Sequence, residues 1–253
     1  QWIDDALRET GTASVRKRKI PATLVIWLVI GMALFRDRAI QEVVAHLGLS
    51  FSKRKKDNKR VATVSPGAIP KARYRVGAMP LERIFERTAK QWSDAAADTY
   101  RWRGLALYGI DGTTLRVPDT EENREAFGLP ATGRGQSGYP QVRLVALMAL
   151  RSHLISAGAF GAFSGKKTGE HTLAQQLWPK LPDWSLIIMD RGLIDYGVYF
   201  HLSHDEAGNI TGQKHWLVRG KKNLTWKRLE LLSPGDELVE LPISQAARKK
   251  DQA

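Results

Sequence analysis

Two aspartates have the residue type and the surroundings to bind a metal ion. Asp111 follows the apolar run LALYGI and Asp190 follows the apolar run SLIIM, so each carboxylate is predicted at the end of a buried strand beside a glycine-bearing turn. If the two carboxylates lie together, a divalent cation would relieve their repulsion, and hard oxygen ligands favour Mg²⁺ or Mn²⁺. A two-metal site can activate a water molecule on one side of a phosphodiester and stabilise the leaving oxygen on the other. The simpler interpretation is that each aspartate caps a turn.

The elements that must position these aspartates follow one another as three strands, a helix, a strand, a helix and a strand. The predicted strands are residues 105–110, 141–150, 153–163, 185–189 and 214–220, and the predicted helices are residues 169–181 and 194–204. This order matches the ribonuclease H-like fold, an α/β fold with a mixed sheet. Because the first and fourth strands of that fold are neighbours, Asp111 and Asp190 are expected to meet although they are 79 positions apart in the sequence.

The first hundred residues have a different pattern, which is helical and basic. Apolar residues at helical spacing, Pro21 at a helix start and Gly48 at a helix end predict a helical domain over residues 1–100. The chain has 39 Lys and Arg against 26 Asp and Glu, and 21 of the former but only 10 of the latter precede Gly104. This imbalance predicts that the front of the chain meets a polyanion, which is DNA or, less simply, an anionic membrane surface.

The basic residues cluster in a loop and in the short helix that follows it. A helix, a basic loop and a cationic helix are compatible with helix-turn-helix docking on DNA, although the connection is longer than a tight turn. The alternative is a solvated face, but few acids interrupt the cluster. We expect DNA contacts from Lys53, Arg54, Lys55, Lys56, Lys59, Arg60, Lys71, Arg73 and Arg75.

Several other functions are disfavoured by the sequence. Residues 20–35 are apolar, but this stretch of 16 residues is shorter than the roughly 20 that a membrane helix needs, so a buried helix and no membrane partner are predicted. The absence of cysteine excludes disulfides and thiolate zinc sites, and a zinc site built on His201 and His204 is disfavoured. Residues 133–138 have G-x-G-x-x-G spacing but lead into a strand, so we expect a loop in which Arg134 contacts DNA rather than a dinucleotide site.

The last part of the chain is predicted to form short strands. Residues 224–244 (LTWKRLELLSPGDELVELPIS) have a turn signal at Pro234-Gly235. Trp226 lies among cations there and is a candidate for stacking on an extruded DNA base, although a place in a core or sheet is the default for tryptophan.

Three segments of the chain resemble the DDE transposases of bacterial insertion sequences, and most closely the insertion-sequence 4 family. They are GIDGTTLRVPDT at 109–120, YPQVRLVALM at 139–148 and SLIIMDRGLID at 185–195, while ARYRVGAMPLERIFERTA at 72–89 is similar to the family's N-terminal DNA-binding region. The resemblance covers nearly the whole chain. It implies a helical DNA-binding domain over 1–100, a ribonuclease H-like core over 101–222 and the start of a β-rich insertion over 223–253.

The resemblance also implies a function and its partners. The family binds transposon ends as double-stranded DNA and catalyses metal-dependent DNA cleavage and strand transfer into target DNA. By this resemblance Asp111 is the first ligand of Mg²⁺ (or Mn²⁺) and Asp190 is the second. It further implies at least a homodimer in the synaptic complex, and a cytoplasmic, nucleoid-associated protein in a bacterium.

One part of the family pattern is missing from this sequence. The third metal ligand of the family is a glutamate in a Tyr-x-x-Arg-x-x-x-Glu-x-x-x-x-x-x-Lys helix, and no tyrosine after Asp190 has an arginine three residues on. None of the later glutamates fits that pattern: Glu206, Glu230, Glu237 and Glu240. We therefore expect an inactive fragment that ends before the third acid, and the first residue, Gln1, leads us to expect that the natural start is also missing.

Two alternatives to an active transposase remain at this point. The first is a catalytically dead DNA-binding fragment, which occupies transposon ends or inhibits the intact enzyme. The second is a ribonuclease H-like nuclease unrelated to mobile DNA, although the basic helical region favours a reaction tethered to particular sites over general degradation.

Overall fold

The computed structural model describes residues 1–15, 20–49, 67–132, 135–136, 138–165, 168–194, 196–204, 209–221 and 224–242. Packing divides the chain into two compact units, Gln1–Thr88 and Ala89–Ala253. The sequence predicts a domain boundary near residue 100, whereas the structure divides the chain after Thr88, within a helix that ends at Thr99. That helix is α5 (Met79–Thr99).

In the described residues of the first unit, all regular secondary structure is helical. This unit contains α1 (Trp2–Glu9), α2 (Ala22–Leu34), α3 (Ile40–His46), α4 (Ala68–Val76) and the beginning of α5. The predicted buried helix over 20–35 is confirmed as α2, because its residues Val25, Ile26 and Leu28 are fully buried in the core of this unit. No helix in the described ranges combines the length and the apolar character that crossing a membrane requires.

The second unit is built on a mixed five-stranded sheet. Its elements, in chain order, are β1 (Ala106–Arg116), α6 (Glu121–Phe127), β2 (Ala131–Thr132), β3 (Gly135–Gln136), β4 (Gln141–Ala149), β5 (Leu154–Ala162), α7 (Glu170–Gln175), β6 (Ser185–Met189), α8 (Tyr196–Ser203), β7 (Lys214–Val218), β8 (Lys227–Ser233) and β9 (Asp236–Glu240). The sheet order is β5-β4-β1-β6-β7, in which β1 is antiparallel to β4 and parallel to β6.

This architecture confirms the predicted fold class. An α/β core with a mixed sheet follows a helical region, and the strand order is consistent with a ribonuclease H-like core. The strands β1 and β6 are neighbours, as the sequence predicted. The hairpin of β8 and β9, with Pro234-Gly235 at its turn, is also confirmed. The sequence did not predict α6, which begins where the Thr120 hydroxyl accepts a hydrogen bond from the Asn123 backbone N–H.

One face of the sheet packs on the helices of the second unit. Tyr108, Leu147 and Ile187 are fully buried there, under apolar residues of α7 and α8 such as Leu173 and Leu202. The Tyr108 hydroxyl donates a hydrogen bond of 3.1 Å to Asp94 of α5. Burial raises the pKa of Tyr108 above its ordinary value, and the charge of Asp94 raises it further. This bond fixes the end of α5 on the strand that carries Asp111.

Candidate functional site

Asp111 lies within β1, so the prediction that it follows the strand was wrong. The antiparallel pairing with β4 continues from Asp111 opposite Ala146 as far as Arg116. Gly112 had suggested a turn, but the β-branched residues Thr113 and Thr114 favour an extended chain and keep it paired to β4. The parallel partner β6, in contrast, stops opposite Ile110. Asp111 is therefore exposed at the point where β1 loses one of its two neighbours.

Asp190 follows β6 immediately, as predicted, and caps a short 3-10 turn over Arg191–Leu193. Its Oδ2 accepts a hydrogen bond of 3.2 Å from the Gly192 backbone N–H. Asp111 makes a similar local contact, since its Oδ1 accepts a 2.8 Å hydrogen bond from the Gly112 N–H. The capping interpretation is thus confirmed for Asp190, but it uses only one carboxylate oxygen. In the described part of the chain, the second oxygen of each aspartate has no hydrogen-bond partner.

The strand register brings the two aspartates together. Ile110 pairs with Met189 as the last residue pair of the parallel ladder between β1 and β6. Asp111 and Asp190 each come one residue after this last pair. Neighbouring strands are about 4.8 Å apart, so the two backbones carry these carboxylates side by side at the same end of the ladder.

Glu170, the first residue of α7, is an acidic side chain near this site that the sequence analysis missed. A Cβ atom built on Gly112 would lie 2.8 Å from both Cδ and Oε1 of Glu170, so glycine leaves the room that this carboxylate fills. The glutamates considered from the sequence all follow Asp190, whereas Glu170 precedes it. Because strand residues alternate between faces, Glu170 approaches β1 from the face opposite to the Asp111 side chain.

The carboxylate oxygens are the type of ligand that a hard divalent cation prefers, but they are too few to hold it firmly. Two exposed carboxylates with one uncommitted oxygen each are suitable ligands for Mg²⁺ or Mn²⁺. However, the described residues contain no group of three or more Asp, Glu or His side chains arranged to hold a metal ion. Glu170 does not form such a group with Asp111 and Asp190, and the place of a third acid stays a prediction.

The predicted DNA-binding residues are only partly described. Lys71, Arg73 and Arg75 are exposed on α4, and Arg75 Nη2 also donates a 2.7 Å hydrogen bond to the Ile20 carbonyl. Tyr74, on the same helix, is 89% exposed and was not singled out from the sequence. Trp226 is exposed just before β8. The other predicted contacts lie outside the described residues: Lys53, Arg54, Lys55, Lys56, Lys59, Arg60 and Arg134.

Comparison with known proteins identifies the family. A family model described as the insertion element 4 transposase N-terminal region matches residues 1–86. Transposase InsG for insertion sequence element IS4, from Escherichia coli (strain K12), is 35% identical over 251 residues, which are 99% of this chain and 53% of InsG. InsZ of the same strain, which also has a transposase name, is 34% identical over 242 residues, covering 93% of this chain and 74% of InsZ. The chain belongs to the insertion-sequence 4 transposase family.

The family assignment confirms the resemblance read from the sequence. The matched N-terminal region, residues 1–86, nearly coincides with the first compact unit, Gln1–Thr88. The chain spans about half the length of InsG. The metal-binding roles of Asp111 and Asp190 and the position of a third acid stay predictions.

Proposed function

We propose that this family member binds the ends of an insertion element and contributes Asp111 and Asp190 to metal-dependent DNA cleavage and strand transfer. The register of β1 and β6 carries the proposal, because it makes the two predicted metal ligands adjacent across a parallel ladder. Both carboxylates lie where the parallel ladder between β1 and β6 ends, which supports the proposal as well, since ligands bind at the carboxyl ends of parallel strands.

Each aspartate would contribute its uncommitted oxygen to Mg²⁺ or Mn²⁺. The other oxygens accept hydrogen bonds from the N–H groups of Gly112 and Gly192, which restrict the rotation of each carboxylate. When bound, divalent metal ions supply activation of a water molecule and stabilisation of the leaving 3′ oxygen of DNA. The exposure of both side chains leaves the site open to a phosphodiester.

The first unit supports the DNA-binding part of the proposal. Helix α4 buries Ile69, Ala72 and Val76 on one side and exposes its cations on the other. Lys71 and Arg73 on that exposed side can contact phosphates of the terminal repeats. We further propose that at least two copies meet in a synaptic complex, which also engages target DNA, and that the protein is associated with the bacterial nucleoid.

A second candidate is a DNA-binding fragment without chemistry, which occupies transposon ends or inhibits the intact enzyme. One observation favours this candidate: the described residues bring two carboxylates together, whereas the family pattern has three acidic metal ligands. No third metal-ligating side chain joins the pair among the described residues. On this basis we expect the chain as it stands to bind metal weakly and to leave DNA uncut.

Calorimetric titration with Mn²⁺ tests the proposed site. We expect measurable binding to the parent chain and at least about a 10-fold weaker affinity for both Asp111→Asn and Asp190→Asn, because each loses a charged ligand of one shared site. Asp37→Asn is the matched control, since Asp37 is an exposed aspartate of the first unit. If all four proteins give the same titration, the two carboxylates do not form a metal site and the DNA-binding fragment becomes the better account.

A further inference from the structure

The end of the sheet opposite to Asp111 and Asp190 has an unusual surface. Three exposed aromatic side chains lie there, Tyr100, Trp102 and Trp184, with exposed fractions of 53%, 51% and 55%. Arg103 and Arg151 lie among them. These five residues, which we call the aromatic–arginine surface, come from the segment before β1, the turn between β4 and β5 and the loop before β6.

The arginines of this surface stack on rings instead of pairing with acids. The guanidinium carbon of Arg103 lies 5.2 Å from the ring centroid of Trp102, and that of Arg151 lies 5.0 Å from the ring centroid of Tyr100. Neither arginine forms an ion pair with any acid that the structure describes. Their charges therefore remain available to an anion, while the exposed rings offer flat apolar area beside them.

The backbone at this end of the sheet has positive φ angles at positions where glycine would be less strained. The described residues other than glycine that have positive φ are Arg103 at 50°, His153 at 57° and Trp184 at 57°, and all three lie at this end of the sheet. Glycine adopts this conformation without the steric penalty that other L-residues incur. Positive φ at residues other than glycine is concentrated at functional sites, so Arg103 and Trp184 are candidates for a functional role.

The turn geometry presents these side chains to solvent. Trp102 and Leu105 exchange two backbone hydrogen bonds of 2.8 and 2.9 Å, so Arg103 and Gly104 form a tight hairpin turn. Arg101 holds this turn next to the loop before β6, because its Nη1 donates hydrogen bonds to the carbonyls of Gly104 at 2.7 Å and Trp184 at 3.3 Å. The two tryptophans are thereby kept at one end of the sheet as a preformed surface.

We propose that the aromatic–arginine surface binds single-stranded DNA, with unpaired bases stacked on Tyr100, Trp102 and Trp184 and the phosphates attracted by Arg103 and Arg151. Aromatic rings interleaved with cations are the arrangement that recognises unpaired nucleotides, whereas the bases of a duplex are stacked inside it and cannot reach the rings. The charge of the uncompensated arginines favours nucleic acid over a second copy of this basic chain.

This site is separate from the proposed metal site. Asp111 is five positions after Ala106 on β1, and at about 3.3 Å per residue the surface is roughly 16 Å from the carboxylates. The proposal does not depend on Asp111 or Asp190. A failure here would leave the Mn²⁺ titrations unchanged, so the two proposals can be tested independently.

The test measures fluorescence anisotropy of two labelled probes with the full chain. One probe is an oligothymidine of about 20 nucleotides, longer than the roughly 4–16 nucleotides that one OB-fold domain covers, and the other is a mixed-sequence duplex of the same length. We expect Trp102→Ala and Trp184→Ala each to bind the single strand about 10-fold more weakly, the loss typical of one stacked base. Duplex affinity should change less than about 2-fold, because phosphate contacts elsewhere dominate it.

Three further variants separate an effect on binding from an effect on folding. Trp102→Phe keeps an aromatic ring and should restore most of the single-strand affinity, and Trp27→Ala removes an exposed tryptophan of α2 as a matched control that should change nothing. Arg103→Gly relieves the backbone strain, so it should melt at the same or a higher temperature while binding the single strand more weakly. The proposal is overturned if Arg103→Gly or Trp102→Ala binds oligothymidine as the parent does, if duplex affinity falls equally, or if only self-association changes.

Discussion

The two faces of the five-stranded sheet differ in what covers them. On one face Tyr108 and Ile187 are fully buried under α5, α7 and α8. On the other, Phe160, Ile188 and Leu217 remain 64%, 40% and 56% exposed. Strand alternation assigns Asp111 to this open face. The buried face therefore supplies the apolar packing that stabilises the second unit. The predicted metal site belongs to the other face, where the carboxylates stay in contact with water.

The largest expected effect comes from two adjacent isoleucines of β6 that belong to opposite faces. We expect Ile187→Ala to lower the free energy of unfolding by about 2–5 kcal/mol, because it leaves a cavity in the packed core. We expect Ile188→Ala to lower it by less than about 1 kcal/mol, because the side chain is already partly in water. Both substitutions remove the same side chain at adjacent positions of one strand, so their difference reports how the two faces are packed and buried. Urea unfolding followed by circular dichroism measures both.

The comparison of the two faces would fail if the two substitutions had similar costs. A large effect of Ile188→Ala would mean that the open face is covered in solution, and that its apolar residues contribute to stability. A small effect of Ile187→Ala would mean that the core around Tyr108 repacks without a cavity.

The difference between the faces also explains how much of the structure the sequence could predict. Continuous apolar runs such as SLIIM identify strands, and the order of elements identified the fold. The sequence could not show where β1 ends, because Gly112 resembles a turn residue and only the pairing with β4 keeps it extended. Nor could it show Glu170 beside Gly112, because that contact joins α7 to β1 across the fold.

Only part of the candidate site could be predicted from the sequence. Two aspartates that follow apolar runs could be paired from strand order alone, since the parallel neighbours of a known fold are fixed by its topology. The aromatic–arginine surface could not be found this way. Its residues come from three separate segments, and the positive φ angles of Arg103 and Trp184 have no signature in the residue types.

A smaller effect on the free energy of unfolding is expected when the buried hydroxyl of Tyr108 is removed. Because the pKa of Tyr108 is raised in the folded protein, folding favours its protonated form, and the stability it contributes is lost as pH rises above the unfolded value of about 10. Tyr108→Phe should cost about 1 kcal/mol at neutral pH through the lost hydrogen bond to Asp94. The variant should then lose less stability than the parent between about pH 9 and pH 11.

Urea unfolding across that pH range checks the prediction for Tyr108. Tyr74→Phe is the matched control, because Tyr74 is 89% exposed on α4 and has no buried hydroxyl to lose. Parallel pH profiles for the parent and Tyr108→Phe would show that the phenol is not held protonated by the fold.

The smallest effect concerns the open face and has the opposite sign. Without metal, Asp111 and Asp190 are like charges on neighbouring strands, and Asp111→Asn should raise the free energy of unfolding by about 0.2–1 kcal/mol. Asparagine keeps an acceptor for the Gly112 N–H, so the local hydrogen bond survives. The gain should shrink at high salt, which screens exposed charges.

Saturating Mn²⁺ should reverse the order of stability, because the metal binds and stabilises the folded parent alone. Asp37→Asn should show neither the gain nor the reversal. A variant that is less stable than the parent without metal would mean that the two carboxylates do not repel, and that the open face is not arranged around a cation.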